Sequence, residues 1–255
     1  MLQRLAMFLL LVCALGILAQ APQETLYQVS TLNALMLGIY DGQMPVKTLL
    51  RHGDFGLGTF TGLDGEMLVL DGKCYQIKSD GSVVKVSGTV TTPFAAVTMF
   101  NSDQTLKIEA PMSLADLETR IDAALPTANW FYAIKVTGTF TLVKARSVPK
   151  QQAPYQPLVE VVKTQPVFQL QQVNGTLVGF RCPAFAAGVN VPGYHFHFLR
   201  EDAQAGGHVL EAQLVSGTVT IDATPAFLLA LPSDTAFKNA DLSTDKPADV
   251  QKVEK

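Results

Sequence analysis

The segment that most constrains this chain is Gly193-Tyr194-His195-Phe196-His197-Phe198-Leu199, with Gly206-Gly207-His208-Val209-Leu210 close behind it. Two apolar, aromatic-rich runs flank the polar stretch 200–206, a pattern that predicts an antiparallel hairpin. Side chains alternate along a strand, so His195 and His197 share one face. A turn centred near Asp202 and Ala203 sets His197 opposite or nearly opposite His208, with cross-strand Cβ separations of roughly 4.5–5.5 Å. Three of the four histidines of the chain then converge. Three neutral nitrogen donors with a fourth position open to water or substrate is the pattern of a catalytic zinc. The competing reading, histidines on the polar face of an ordinary hairpin, suits one imidazole better than three. A closed structural zinc site commonly uses four ligands including cysteine, and no cysteine-rich cluster accompanies these histidines.

The 255 residues suffice for one large or two small domains with a sizeable core. Charged residues make up only 16%, and 22 acidic residues against 19 basic ones leave a net charge of −3. With no basic stripe, nucleic acid is excluded as an expected partner. Frequent Val, Thr, Phe and Gly predict a β-rich globular protein.

Residues 1–21 differ from the rest. Arg4 is their only charge, the run from Leu5 to Leu18 is almost wholly apolar, and small residues follow at Ala19 and Ala21. This is the layout of a secretory signal peptide, which predicts export and no lasting membrane attachment after cleavage. A retained anchor ranks second, since the run is short for a span of about 20 residues. A lipoprotein at Cys13 ranks third. Of the cysteines beyond this segment, Cys74 and Cys182, the spacing says nothing about pairing, and burial as apolar residues is an equal alternative.

Leu32, Leu35, Met36 and Ile39 predict a helix within 31–40, and Pro45 a short helix through Leu50. Strands are expected at 56–61 and 67–70, then after the turns Asp71-Gly72 and Asp80-Gly81. Further strands fall at 92–100 and 105–110. Ser113 starts a helix with a capping-box-like signature, with Leu114, Leu117, Ile121 and Leu125 on one face. A long strand at 131–143 delivers Arg146 at its end. The Pro/Gln-rich stretch 149–157 reads as a connection between halves, and 167–180 as a hairpin around Asn174-Gly175. The predicted class is α+β with mostly antiparallel or mixed sheet. The expected units are an N-terminal half at 22–150, a metal-binding β half at 151–240 and a polar tail at 241–255.

The histidine segment, with Gly188-Val189-Asn190-Val191-Pro192 before it, resembles the metal-binding region of the α-acetolactate decarboxylases. The stretches Leu50-Arg51-His52-Gly53-Asp54-Phe55-Gly56-Leu57-Gly58-Thr59-Phe60 and Gly62-Leu63-Asp64-Gly65-Glu66-Met67 resemble that family's N-terminal signature. The similarity runs from about Leu26 to the C-terminus. It implies two β-rich halves, with the metal site in the second half facing residues of the first. It also implies decarboxylation of a small-molecule substrate, 2-acetolactate, to (R)-acetoin and CO2 through a zinc-stabilised enediolate. His195, His197 and His208 would bind Zn2+. Three further residues match functional positions of the family: Glu66, Arg146 in Lys144-Ala145-Arg146-Ser147-Val148, and Glu254, a C-terminal glutamate that folds back onto the site. Without the resemblance, Glu66 and Arg146 read as surface charges and Glu254 as frayed tail. His52 is expected to satisfy a loop or core hydrogen bond, and Thr59 to contact substrate or a site carboxylate. The sequence leaves a homodimer open.

A second reading comes from another class. His195, His197 and Glu201 resemble the metal motif of cupins, which include non-catalytic binding barrels. The glycines Gly188 and Gly207 are each one position from where that motif needs them, and no second cupin motif is evident. A cupin ligand set includes Glu201; a decarboxylase set includes His208 instead.

Overall fold

The structure is a computed structural model that describes residues 24–243 and 247–254. Residues 1–21, read as a signal peptide, lie outside the described residues. Among the described residues, no helix is long and apolar enough to cross a membrane.

The chain opens with β1 (Thr25–Val29), α1 (Leu32–Met36), β2 (Met44–Pro45) and α2 (Val46–Leu49). A meander follows, β3 (Phe55–Thr59), β4 (Glu66–Leu70), β5 (Lys73–Ile77) and β6 (Val83–Lys85), then β7 (Thr91–Thr92), which pairs with β2 in a small sheet of its own, and β8 (Ala95–Thr98), which returns beside β3. Then come β9 (Gln104–Ile108), β10 (Met112–Ser113), α3 (Leu114–Asp122) and β11 (Phe131–Arg146). The rest is α4 (Leu158–Val161), β12 (Val167–Cys182), β13 (Gly193–Arg200), β14 (Gly206–Thr224), β15 (Ala226–Ala230), α5 (Thr235–Asn239) and α6 (Pro247–Glu254).

Seven strands make the first sheet, in the order β15-β1-β8-β3-β4-β5-β6. Asp71 and Gly72, with φ of +50° and +70°, form the expected tight turn between β4 and β5. The second sheet is built from β10, β14, β11, β12 and β13, with β9 added on β14. Because β13 pairs with β12 on one side and with the start of β14 on the other, four of its strands close into a circuit. The sheets do not divide the chain at residue 150. β9, β10 and β11 precede it yet belong to the second sheet, and β15 returns to pair in parallel with β1 in the first.

Alternation along the strands sorts the cores. Phe196 and Phe198 of β13 point into the interior of the second sheet with Ile134, Phe140, Leu177 and Val209. Leu199, on the other face of β13, joins Phe180 and Val178 against Phe55, Leu57 and Leu68, and this layer glues the two sheets together. Each fully buried phenylalanine or leucine here contributes roughly 1.5–3 kcal/mol. A third core gathers α1, α4 and α6 around Leu32, Leu158, Val250 and Val253.

Two local expectations are corrected. Residues 167–180 form no hairpin: β12 is one strand, paired residue by residue with β11. Asn174-Gly175 carries the sequence signature of a hairpin turn, but Gly175 meets a different need. A Cβ there would lie 2.3 Å from the ring of Phe198, so the glycine makes room for a core aromatic. The helix expected across 31–40 is only Leu32–Met36, because the chain turns at Gly38 with φ of +89°. The tail holds a helix, Pro247–Glu254, with Val250 and Val253 buried against the body. The Ser113 start is as expected. Its hydroxyl caps Asp116 N–H and Asp116 returns a bond to the Ser113 backbone, while Leu117 and Ile121 are buried.

Candidate active site

The outer face of β13, turned toward the first sheet, carries His195 and His197, and the hairpin register sets His197 directly opposite His208 of β14. The three ring centroids lie 4.8–5.4 Å apart. His197 and His208 are buried and His195 nearly so. One ring nitrogen from each histidine lies within 4.8 Å of the other two.

The tautomer of His197 is fixed by its surroundings. Its Nδ1 is 2.7 Å from the carbonyl oxygen of Met67 on β4. A carbonyl only accepts, so Nδ1 carries the proton and the lone pair sits on Nε2. Nε2 is buried without a hydrogen-bond partner. His195 Nε2 and His208 Nδ1 face each other at 3.0 Å. Two nitrogens bound at about 2.0–2.1 Å to one tetrahedral ion lie roughly 3.3 Å apart, so the donor set fits a shared divalent cation. Burial, then the Arg146 charge, pulls His195 down to about 3. Burial also holds His197 and His208 well below the ordinary histidine value. The three rings are therefore neutral near pH 7, the state in which imidazole binds metal.

Charged side chains reach this face from three directions. Arg146 ends β11 and is the cross-strand neighbour of His208 on β14. It donates from Nη1 to Glu66 Oε1 at 3.0 Å and from Nη2 to the carbonyl oxygen of Val253 at 2.9 Å. Its Nε is buried without a partner. Glu66 opens β4 in the opposite sheet, and its Oε2 lies 3.5 Å from His197 Nε2. Glu254 ends α6, with Oε2 3.6 Å from His195 Nε2 and 3.8 Å from His208 Nε2, and that oxygen has no hydrogen-bond partner. Burial pushes both carboxyls up to about 7, against the pull of Arg146; the nearby Glu254 raises Glu66 further.

Two spaces adjoin the cluster. A cleft of about 300 Å³ is lined by Leu114, Glu118, Tyr194, His195, His208 and Glu254. A pocket of about 40 Å³ touches all three histidines, Arg146 and both glutamates, with Leu32, Leu63, Phe94 and Val253 as its apolar wall.

All six singled-out residues thus come together: His195, His197, His208, Arg146, Glu66 and Glu254. Thr59 lines the inner pocket, but its hydroxyl donates to the Gly65 carbonyl at 2.7 Å, so it braces the turn that presents Glu66. His52 is elsewhere, exposed and stacked on Tyr27 at 3.8 Å between ring centroids. Glu201 is exposed in the β13–β14 turn and is no part of the histidine cluster, so a cupin ligand set does not form. Sequence reasoning missed the carbonyls of Met67 and Val253 and the apolar wall. A backbone acceptor leaves no signal in residue identity, although Leu63 and Met67 lie inside the matched stretch around Glu66.

The family model for alpha-acetolactate decarboxylase matches residues 26–244. The chain belongs to the α-acetolactate decarboxylase family. It is 53% identical over 232 residues to the alpha-acetolactate decarboxylase of Methanosarcina mazei, covering 91% of this chain and 81% of that protein. It is 44% identical over 234 residues to that of Bacillus subtilis, covering 91% and 92% of the two. The crystal structure of the enzyme from Bacillus subtilis strain 168 superposes with a TM-score of 0.89 over 90% of this chain and 99% of that one. A Staphylococcus aureus protein of unknown function similar to the family superposes at 0.84 with 32% identity, covering 90% and 98%. The β-rich, mixed and antiparallel architecture is the one these family structures share.

Proposed function

We propose that this protein, a carboxy-lyase of the acetolactate decarboxylase family, converts 2-acetolactate to (R)-acetoin and CO2 at the histidine, arginine and glutamate centre. The observation that carries the reading is the meeting of three neutral imidazoles with Arg146, Glu66 and Glu254 in one buried site. His195, His197 and His208 would hold the metal, and zinc suits an all-imidazole set with an open position. When bound, such an ion supplies Lewis-acid stabilisation of negative charge developing on the substrate ketone oxygen.

The chain's own groups account for the rest. In the reaction the bond between C2 and the carboxylate breaks, CO2 leaves, and the electron pair spreads onto the ketone oxygen as an enediolate. Arg146 orients the carboxylate before it leaves, through its unpartnered Nε, while its other two nitrogens stay anchored on Glu66 and Val253. A proton must then be returned to carbon on one face. Glu66 is engaged by Arg146 at Oε1, whereas Glu254 keeps Oε2 free, so Glu254 is the better placed proton donor and Glu66 the positioning carboxylate. The apolar wall of Leu32, Leu63 and Phe94 shields the carbanion from bulk water.

The test is incubation of purified protein with racemic 2-acetolactate, with CO2 release followed and acetoin resolved by chiral chromatography. Excess (R)-acetoin is expected; acetoin formed only at the spontaneous rate would refute the reading. Export is part of the same proposal, on the strength of the apolar segment within residues 1–21. N-terminal sequencing of exported protein should find residues 1 to about 21 removed, and recovery of Met1 in a membrane fraction would favour an anchor.

A further inference from the structure

A second carboxylate cluster shares no residue with the histidine centre. Glu24 stands just before β1, Asp103 just before β9, and Asp222 near the end of β14. One oxygen from each lies within 4.8 Å of the other two. The backbone builds this meeting. Asp103 N–H donates to the Ile221 carbonyl at 2.9 Å, and Ala223 N–H donates to Asp103 Oδ2 at 2.8 Å, so Asp103 is clamped on both sides of Asp222. Asn101 donates from its backbone to Asp222 Oδ2 and from its side chain to Glu24 Oε1, each at 3.1 Å.

What this leaves unsatisfied is informative. Asp222 is 0% exposed, and its Oδ1 is buried with no donor. Among the described residues, no lysine or arginine forms an ion pair with any of the three acids. Burial pushes the Asp222 carboxyl up to about 7, the Asn101 N–H opposes this, and the charges of Glu24, Asp103 and Asp54 add to the rise. A buried carboxylate oxygen among like charges is costly unless something positive faces it.

We infer that Glu24, Asp103 and Asp222 form a binding site for a hard divalent cation of the calcium class. The ligand set is all oxygen, which suits calcium and excludes the preference of softer metals for imidazole or thiolate. Oxygens about 2.4 Å from one calcium ion lie up to about 4.8 Å apart, and the three carboxylates come within that reach of one another; a set of three protein carboxylates suits calcium, whereas magnesium keeps most of its waters and takes one or two. A cavity of about 470 Å³ lined by Glu24, Asp103 and Trp130 adjoins the cluster and gives the ion and its waters a route in. The ion would pin the start of β1 in the first sheet to the 99–103 crossover and to β14 in the second. Its role is structural.

Trp130 is the only tryptophan of the chain, which supplies a local reporter. The full-length protein carrying its histidine-site ion is dialysed free of loose divalent cations and titrated with terbium, a luminescent calcium substitute, under tryptophan excitation. Sensitised terbium emission that saturates and is displaced by calcium is expected. Calcium at a hundredfold excess over its Kd should raise Tm by roughly 5–10 °C, with magnesium doing much less. Asp103→Asn changes an exposed residue, so the protein should fold. It should weaken calcium binding at least tenfold and leave decarboxylation unchanged. Asp222→Asn removes the buried charge, and its Tm should no longer respond to calcium. A parent protein with neither sensitised emission nor a calcium-dependent Tm would overturn the site. So would parental calcium affinity in Asp103→Asn. An equal response to magnesium would overturn the calcium assignment.

Discussion

The histidine hairpin and the C-terminal helix both contribute to one site, but they are held in place very differently. His197 and His208 face each other across paired strands whose backbones are bonded to further strands on both sides, and their aromatic neighbours fill a core. Glu254 sits at the end of α6, which is held by Val250, Val253, a bond from Arg146 to the Val253 carbonyl and a longer contact, 3.4 Å, between His208 Nε2 and the Glu254 carbonyl. The half proposed to bind metal is built into the sheet, whereas the half proposed to handle the proton is docked onto it. Arg146 links the two, since one guanidinium grips Glu66 from the first sheet and the helix end at once. Damage to the hairpin should therefore remove the metal and the chemistry together, and damage to the helix should remove the chemistry alone.

The largest effect is expected from His197→Ala. Bound metal, read by atomic emission, should fall below stoichiometric, and turnover should drop to background. The Met67 carbonyl loses its partner, at a cost of roughly 1–3 kcal/mol, which thermal unfolding will show. Normal metal content in this variant would break the comparison at its rigid end.

Next comes deletion of Glu254 and Lys255. Loss of a positioned proton donor should slow turnover by roughly 100- to 10,000-fold, with metal content and Tm close to the parent. Unchanged kcat would show that the docked half takes no part in chemistry. Arg146→Lys follows, because it keeps the charge but loses the fork that holds Glu66 and Val253 together. A fall of roughly 100-fold with metal retained is expected, comparable to losing one preorganised donor. A fully active lysine variant would mean that charge alone suffices.

Val253→Ala should have the mildest catalytic effect. It weakens docking of α6 by about 1–2 kcal/mol, so turnover should fall several-fold while global Tm barely moves, because a terminal helix opens locally. Equal losses in Tm and turnover would show that the helix is part of the cooperative core. A scaffold control needs no mutation. Cys74 and Cys182 are unpaired and buried, and burial pushes both thiols up to about 12, so neither should react with a thiol reagent in the folded protein.

The same contrast explains what was legible in the sequence. The histidine cluster could be read because its three residues sit within 14 positions of each other (195–208) on one hairpin, where strand alternation fixes their faces. Arg146 had a weaker local signal as the end of a long strand. Glu66 and Glu254 had none, since what places them is the packing of one sheet on another and the docking of a distant helix. Only family resemblance pointed to them. The false hairpin at Asn174-Gly175 has the same origin: a glycine required by the ring of Phe198, far along the chain, looked like a glycine required by a turn. The parallel return of β15 to β1 joins residues 201 positions apart and leaves no periodic trace. The cluster of Glu24, Asp103 and Asp222 is equally scattered, and no sequence pattern announces it.

The central claim is that decarboxylation depends on a metal held by His195, His197 and His208. The most direct measurement strips the parent protein with a chelator, titrates zinc back, and follows acetoin formation from 2-acetolactate against bound metal. Activity should vanish on stripping and return in proportion to zinc, reaching its plateau with one ion per chain at the histidine centre. Full turnover in the stripped, metal-free protein would contradict the account.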